Sequence, residues 1–163
     1  MRSNGKTSYS GGVILQINLW INRIKKQIEV EADELLADTL RKNGYLSIKV
    51  GCDTNSCGAC TVWLDEKPVL SCSFLSVRAN GKHITTIEGI ENEAKEFSKF
   101  LNVEGSVQCG FCSPGLVMTV LAMKKELKHP TEKQINEYLA GNLCRCTGYE
   151  SQLRAIKKYM QVK

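Results

Sequence analysis

The chain has 163 residues, 42% of them hydrophobic, which is enough for one domain or two small ones with ordinary cores. No run of 18 apolar residues occurs, which excludes a spanning helix, and the formal charge of +5 comes from scattered Lys and Arg with no long basic block, which argues against a nucleic-acid or membrane partner. Eight cysteines are about 5% of the chain, above ordinary usage and below the density of disulfide-built secreted scaffolds.

Residues 1–12, "MRSNGKTSYSGG", are polar and rich in Gly and Ser, and are expected to be a disordered leader. The apolar stretch that follows, Val13 to Ile21, is interrupted by Gln16 and Asn18 and has no small-residue cleavage site after it, so it fails as a secretory signal. With no twin-arginine pair either, the expected location is the reducing cytoplasm, where thiols more often bind metals than form disulfides. From Leu15 the pattern alternates: Leu15, Ile17, Leu19 and Ile21 share one face, and Ile28 and Val30 alternate again after a polar turn. This predicts a β-hairpin. Asp33 is the expected cap of a helix carrying Leu35, Leu36, Thr39 and Leu40 on one face, and Asn43-Gly44 is its stop signal. Strands are expected again at "TVWLD" (61–65), "PVL" (68–70) and "KHITTI" (82–87). The order strand, strand, helix, loop, strands fits an α+β domain of the β-grasp type over 13–89.

The pattern changes near Ile90, and 90–163 reads as a second, helical domain. Asn92 is the expected cap of a helix with Ala94, Phe97 and Leu101 at helical spacing, and Ser113-Pro114 supplies a cap followed by Pro at the first helical position. The helix after Pro114 is apolar nearly all round, from Leu116 to Met123, so it belongs inside a bundle. Thr131 to Gln134, "TEKQ", is a capping box opening a third helix that Gly141 should end, and a fourth begins near Ser151. Four helices make a small bundle.

The cysteines divide between the two halves, four and four. Cys52, Cys57, Cys60 and Cys72 form C-x4-C-x2-C-x11-C, whose core spacing is that of plant-type ferredoxins. Three thiolates from one short loop require the backbone to wrap a cluster, and Gly51, Gly58 and Asn55 are the residues that permit it. A structural zinc site is the alternative, but it ordinarily uses two C-x2-4-C knuckles and this half holds only one. Cys109, Cys112, Cys144 and Cys146 form C-x2-C-x31-C-x-C, one pair at a helix start and one at a helix end, placed to converge on a cluster between neighbouring helices. Two oxidised clusters with eight thiolates carry a net charge of about −4. The basic excess then largely offsets them.

"VGCDTNSCGACTVWLDEKPVLSC", "SVQCGFCSPG" and "LAGNLCRCTGY" resemble the iron–sulfur subunit of the molybdenum hydroxylases, the group of xanthine, nicotinate and aerobic-type carbon monoxide dehydrogenases and aldehyde oxidoreductase. The likeness runs over about residues 15–160. It implies a plant-ferredoxin-like β-grasp domain, then a four-helix domain, with one [2Fe–2S] cluster in each. It also implies a large partner subunit binding molybdopterin and a medium subunit binding FAD, with electrons passing from molybdenum through both clusters to the flavin. On the family pattern Gln108 and Cys146 contact the pterin, and the chain has no active site of its own. Gln108 is polar and precedes an all-apolar helix, where neither cluster ligation nor packing requires an amide. Asp53, Asn55 and the Glu66-Lys67 turn stand where many members have glycine, and the "GCDT" variant also occurs in carbon monoxide dehydrogenase small subunits. "LSIKVGC", "NGKHITTIEGI" and "LAGNLCRCTGY" resemble purine and xanthine dehydrogenase subunits, so purine hydroxylation is the expected reaction. Carbon monoxide, nicotinate or aldehyde oxidation, or a free-standing two-cluster ferredoxin, are the alternatives.

No Ser–His–Asp, paired-carboxylate or phosphate-loop constellation appears. His83 and His129 read as surface residues, Trp20 and Trp63 as packing or interface residues, and Arg154, Lys157 and Lys158 as a solvated helix face.

Overall fold

The computed structural model describes residues 12–162, so the expected leader lies, but for Gly12, outside the described residues. Two strands, β1 (Ile14–Ile21) and β2 (Ile24–Glu31), pair antiparallel with Ile21 opposite Ile24. The two-residue turn Asn22-Arg23 therefore sits at φ 51° and 71°, the twist that matches a right-handed hairpin. Asn22 is held there by its own amide, whose Oδ1 accepts from the Thr86 N–H at 2.9 Å and whose Nδ2 donates to Thr86 Oγ1 at 2.9 Å.

Helix α1 (Leu36–Lys42) follows, then β3 (Thr61–Leu64), β4 (Lys67–Leu70) and β5 (His83–Thr85). The sheet order is β2-β1-β5-β3-β4, with β1 and β5 parallel and the other neighbours antiparallel. Ile17, Leu19 and Ile21 of β1 pack with Val30, Leu36, Leu40, Val62 and Ile84 into the sheet core. Leu15 shares their face but is exposed, because β1 outruns the core at its start. The β3–β4 turn is Asp65-Glu66, both at positive φ. Asp65 makes a non-glycine turn tenable by accepting from the His83 N–H at 2.9 Å and Lys82 Nζ at 2.7 Å, which also hold its carboxyl below the usual range.

The second half is α2 (Glu91–Val103), α3 (Ser113–Glu126), α4 (Glu132–Tyr138) and α5 (Glu150–Tyr159), around a core of Phe97, Leu101, Met118, Met123, Ile135 and Ile156. Every residue of α3 from Gly115 to Met123 is buried, as its all-round apolar pattern requires. Trp63 of β3 belongs to this helical core. Its indole N–H donates to the Met118 carbonyl at 2.9 Å, which ties sheet to bundle. None of the described helices is long and apolar enough to cross a membrane.

Several helix starts differ from expectation. Asp33 does not cap α1: the Leu36 N–H donates to Phe74 O at 2.8 Å and Leu35 bridges Leu75, so a tertiary partner replaces the cap. Asn92 lies inside α2, which grows from the 3-10 turn Ile87–Gly89 through Ile90, with Glu91 and Glu93 favourably placed at its positive end. Ser113 is the first residue of α3 rather than its cap, and α4 ends at Tyr138, short of Gly141. The Thr131–Gln134 capping box forms as expected. The basic side chains of α5 are more than a solvated face. Arg154 Nε and Lys158 Nζ both meet Glu104 at the end of α2, and Lys157 meets Glu132 at 2.7 Å. Lys158 first, then Arg154, holds the Glu104 carboxyl below its ordinary pKa.

Candidate metal centres

The loop 51–60 carries Cys52, Cys57 and Cys60, and Cys72, on the 3-10 turn Ser71–Ser73, lies close enough to interact with all three. Asn55 at φ 54° and Gly58 at φ 71° supply the left-handed turns that wrap the loop. Gly51 has a different reason. A Cβ there would lie 3.1 Å from the Phe111 ring and 3.4 Å from Cys57 Sγ, so it makes room and not a turn. Cys60 and Cys72 are buried with Sγ atoms 3.2 Å apart, and Cys72 Sγ lies 3.3 Å from Asn55 Oδ1.

The loop also sorts the thiols by ease of ionisation. The Ser56 backbone N–H, then the Cys57 thiol and the Cys57 and Thr54 amides, hold Cys52 down at about 6 against the opposing effect of burial. Burial, then its Cys60 neighbour, pushes Cys72 up to about 12. Cys57 is raised, by burial first and by Cys52. Backbone amides aimed at sulfur are what an anionic cluster needs.

The second set forms where α3 begins and the chain leaves α4. Cys112 is the residue before α3, and Cys109 precedes it by one turn. Cys144 and Cys146 arrive on the loop before α5. Cys109 and Cys146 are exposed, with Sγ atoms 3.5 Å apart, while Cys112 and Cys144 are half-buried. Burial raises Cys144, but the Thr147 hydroxyl, donating to its Sγ at 3.1 Å, and the Cys146 and Thr147 amides outweigh it and leave about 7. Burial, then Cys144, pushes Cys112 up to about 11.

Spacing alone did not reveal the supporting residues. The Cys144 N–H donates to Tyr149 Oη at 3.0 Å, and Gln152 Nε2 approaches Cys112 Sγ at 3.9 Å. Tyr149 stands at φ 70°, an outlier for an aromatic residue, which turns the chain so that its hydroxyl reaches back. The available signal was "TGY" directly after Cys146, whose Thr and Tyr are the two that fold back on the loop.

In both sets the thiols come in pairs: Cys52 with Cys57, Cys60 with Cys72, Cys109 with Cys146, and Cys112 with Cys144. Among the described residues no group of three or more His, Cys, Asp or Glu side chains is placed to hold a single metal ion. Four sulfurs around one centre would mark a tetrahedral zinc, whereas two irons bridged by sulfide take two thiolates each. The paired arrangement fits the [2Fe–2S] group.

Cys52 and Cys57 of the first set share a cleft of about 830 Å³ with Cys109, Cys112, Cys144 and Cys146 of the second, whereas Cys60 and Cys72 are buried and do not line it. Its walls touch directly, since the Leu143 N–H donates to the Cys57 carbonyl at 2.9 Å. Gln108 is exposed and is the residue before Cys109, whose Sγ lies 3.5 Å from that of Cys146. His83 stacks on Trp20 at 4.7 Å and His129 is exposed, and neither lines the cleft.

Comparison with known proteins finds a cluster-binding domain family in each half of the chain. Residues 20–85 match the 2Fe-2S iron-sulfur cluster binding domain and residues 86–157 match the [2Fe-2S] binding domain. The xanthine dehydrogenase iron-sulfur-binding subunit of Escherichia coli O157:H7 is 44% identical over 150 residues, covering 87% of this chain and 92% of that one. The nicotinate dehydrogenase small FeS subunit of Eubacterium barkeri is 38% identical over 138 residues, covering 83% and 88%. Among solved structures, quinoline 2-oxidoreductase from Pseudomonas putida 86 matches with a TM-score of 0.82 and 36% identity, over 88% of this chain and 90% of that chain.

Proposed function

Because the chain belongs to the iron–sulfur subunit family of the molybdenum hydroxylases, we propose that it serves a purine- or xanthine-oxidising complex as its electron-transfer subunit. The observation that carries the relay role is that Cys52 and Cys57 of the first set line one cleft with all four cysteines of the second, and that the Leu143–Cys57 hydrogen bond joins its walls. Each [2Fe–2S] group, when bound, supplies a centre that accepts and releases one electron. The chain's own residues do the rest. Cys52, Cys57, Cys60 and Cys72 hold one group in the domain assigned to 13–89, and Cys109, Cys112, Cys144 and Cys146 hold the other in the domain assigned to 90–163. The loop amides and Thr147 stabilise the sulfur charge, and the exposed side chains of Phe111, Leu143 and Tyr149 line the cleft.

The exposed Cys109–Cys146 pair, with exposed Gln108 next to Cys109 in sequence, is the part offered to a molybdopterin-binding large subunit, where Gln108 and Cys146 contact the pterin. An FAD-binding medium subunit accepts the electrons, and the complex works in the cytoplasm. The purine assignment is supported by the greater identity to the xanthine dehydrogenase subunit, 44% against 38% for the nicotinate one. The deciding experiment isolates the native complex and assays it with hypoxanthine, xanthine, nicotinate, aldehydes and carbon monoxide, while measuring iron and sulfide. Turnover of hypoxanthine or xanthine with about four irons per chain is expected. Turnover of nicotinate or an aldehyde instead would move the substrate and leave the relay role standing.

A further inference from the structure

We propose that Gly115 is a spacing residue that sets the separation between the two cluster-binding loops, and through it their electronic coupling. This rests on the two-cluster reading above. Gly115 is buried in the first turn of α3, three residues after Cys112, where alanine would favour the helix more. Its φ is not in the left-handed region, so backbone freedom does not explain it. Close approach does. A Cβ at 115 would fall inside the Gly58 carbonyl oxygen and stand 3.0 Å from Ala59 Cα, both on the loop between Cys57 and Cys60.

That carbonyl cannot readily yield. It accepts from the Thr61 hydroxyl at 2.8 Å and the Thr61 N–H at 3.2 Å. On its other side the loop is equally tight, since a Cβ at Gly58 would fall inside the Gly141 carbonyl and 2.6 Å from Asn142 Nδ2. The start of α3, the 51–60 loop and the segment leading to Cys144 are thus stacked backbone on backbone. A methyl group at 115 must push α3 away, and Cys112 moves with it, because it is the residue from which the helix grows. Lengthening the gap weakens magnetic coupling as the inverse cube of distance and slows electron transfer exponentially.

The test compares the full chain with Gly115→Ala and Gly141→Ala, the latter a matched control because a Cβ at 141 meets nothing within 4 Å. Each protein is analysed for iron, then fully reduced and examined by electron paramagnetic resonance for the two separate signals and the splitting between them. The expected result is that Gly115→Ala keeps wild-type iron and both signals but loses part of the splitting, and that Gly141→Ala changes neither. An unaltered splitting in Gly115→Ala overturns the proposal. Loss of one signal also overturns it, since the residue would then be needed for assembly and not for spacing. Absence of two signals from the wild type would instead reject the two-cluster reading itself.

Discussion

Single residues divide the molecule's two sulfur environments, buried for Cys60 and Cys72 and open for Cys109 and Cys146. Gln108 stands beside the open pair, exposed and without a hydrogen bond to any other described residue. An exposed amide contributes little to folding, so its removal should not disturb either cysteine set. If it contacts a pterin edge, the loss is that of one hydrogen bond, about 1 kcal/mol, or several-fold in cofactor retention or in the rate of cluster reduction. Gln108→Ala should therefore keep wild-type iron while the substrate-driven reduction, followed by stopped flow, slows by that factor. An unchanged rate in an assembled complex would remove Gln108 from the cofactor contacts.

Among the elements, β3 and α3 carry the junction between the halves. The Trp63 indole donates to Met118 O, its ring lies in the helical core, and Lys125 Nζ sits 4.1 Å from the ring centroid. Trp63→Phe removes the donor and part of the ring volume from a buried site, a change of about 1–3 kcal/mol. Urea-induced loss of visible cluster absorbance should then occur at lower urea than in the wild type, and the same midpoint would show the junction to be dispensable. The elements themselves were largely legible, because the alternation from Leu15 to Val30, the apolar run after Pro114 and the "TEKQ" box are local signals. Their starts were not. Leu36 donates to Phe74 across nearly forty residues of sequence and α2 grows out of a 3-10 turn, so the expected caps Asp33 and Asn92 were displaced by partners that no local window contains. The cysteine sets were legible from spacing, whereas their pairing, and the part played by Tyr149 and Gly115, depends on which backbones meet in space.

At the scale of the whole chain the question is whether the two sites stand or fall together. Each half has its own hydrophobic core, with Trp63 reaching from one into the other, which favours independence. The cleft works the other way. Gly51 and Cys57 wall the helical site, Phe111 packs on Gly51, and the Cys57 carbonyl holds the Leu143 amide next to Cys144. Cys57→Ser removes a thiolate but keeps that carbonyl, so it withdraws metal-binding free energy from the 51–60 loop without deleting the backbone contact. The core around Phe97 and Met118 needs nothing from the lost site, and Cys109, Cys112, Cys144 and Cys146 keep their pairing. Iron should accordingly fall to about half, with the helical-site signal retained but broadened as its wall loosens. Iron analysis and electron paramagnetic resonance on the same sample read both quantities. Loss of all iron would mean that the shared wall outweighs the separate cores, and that the two sites assemble as one unit.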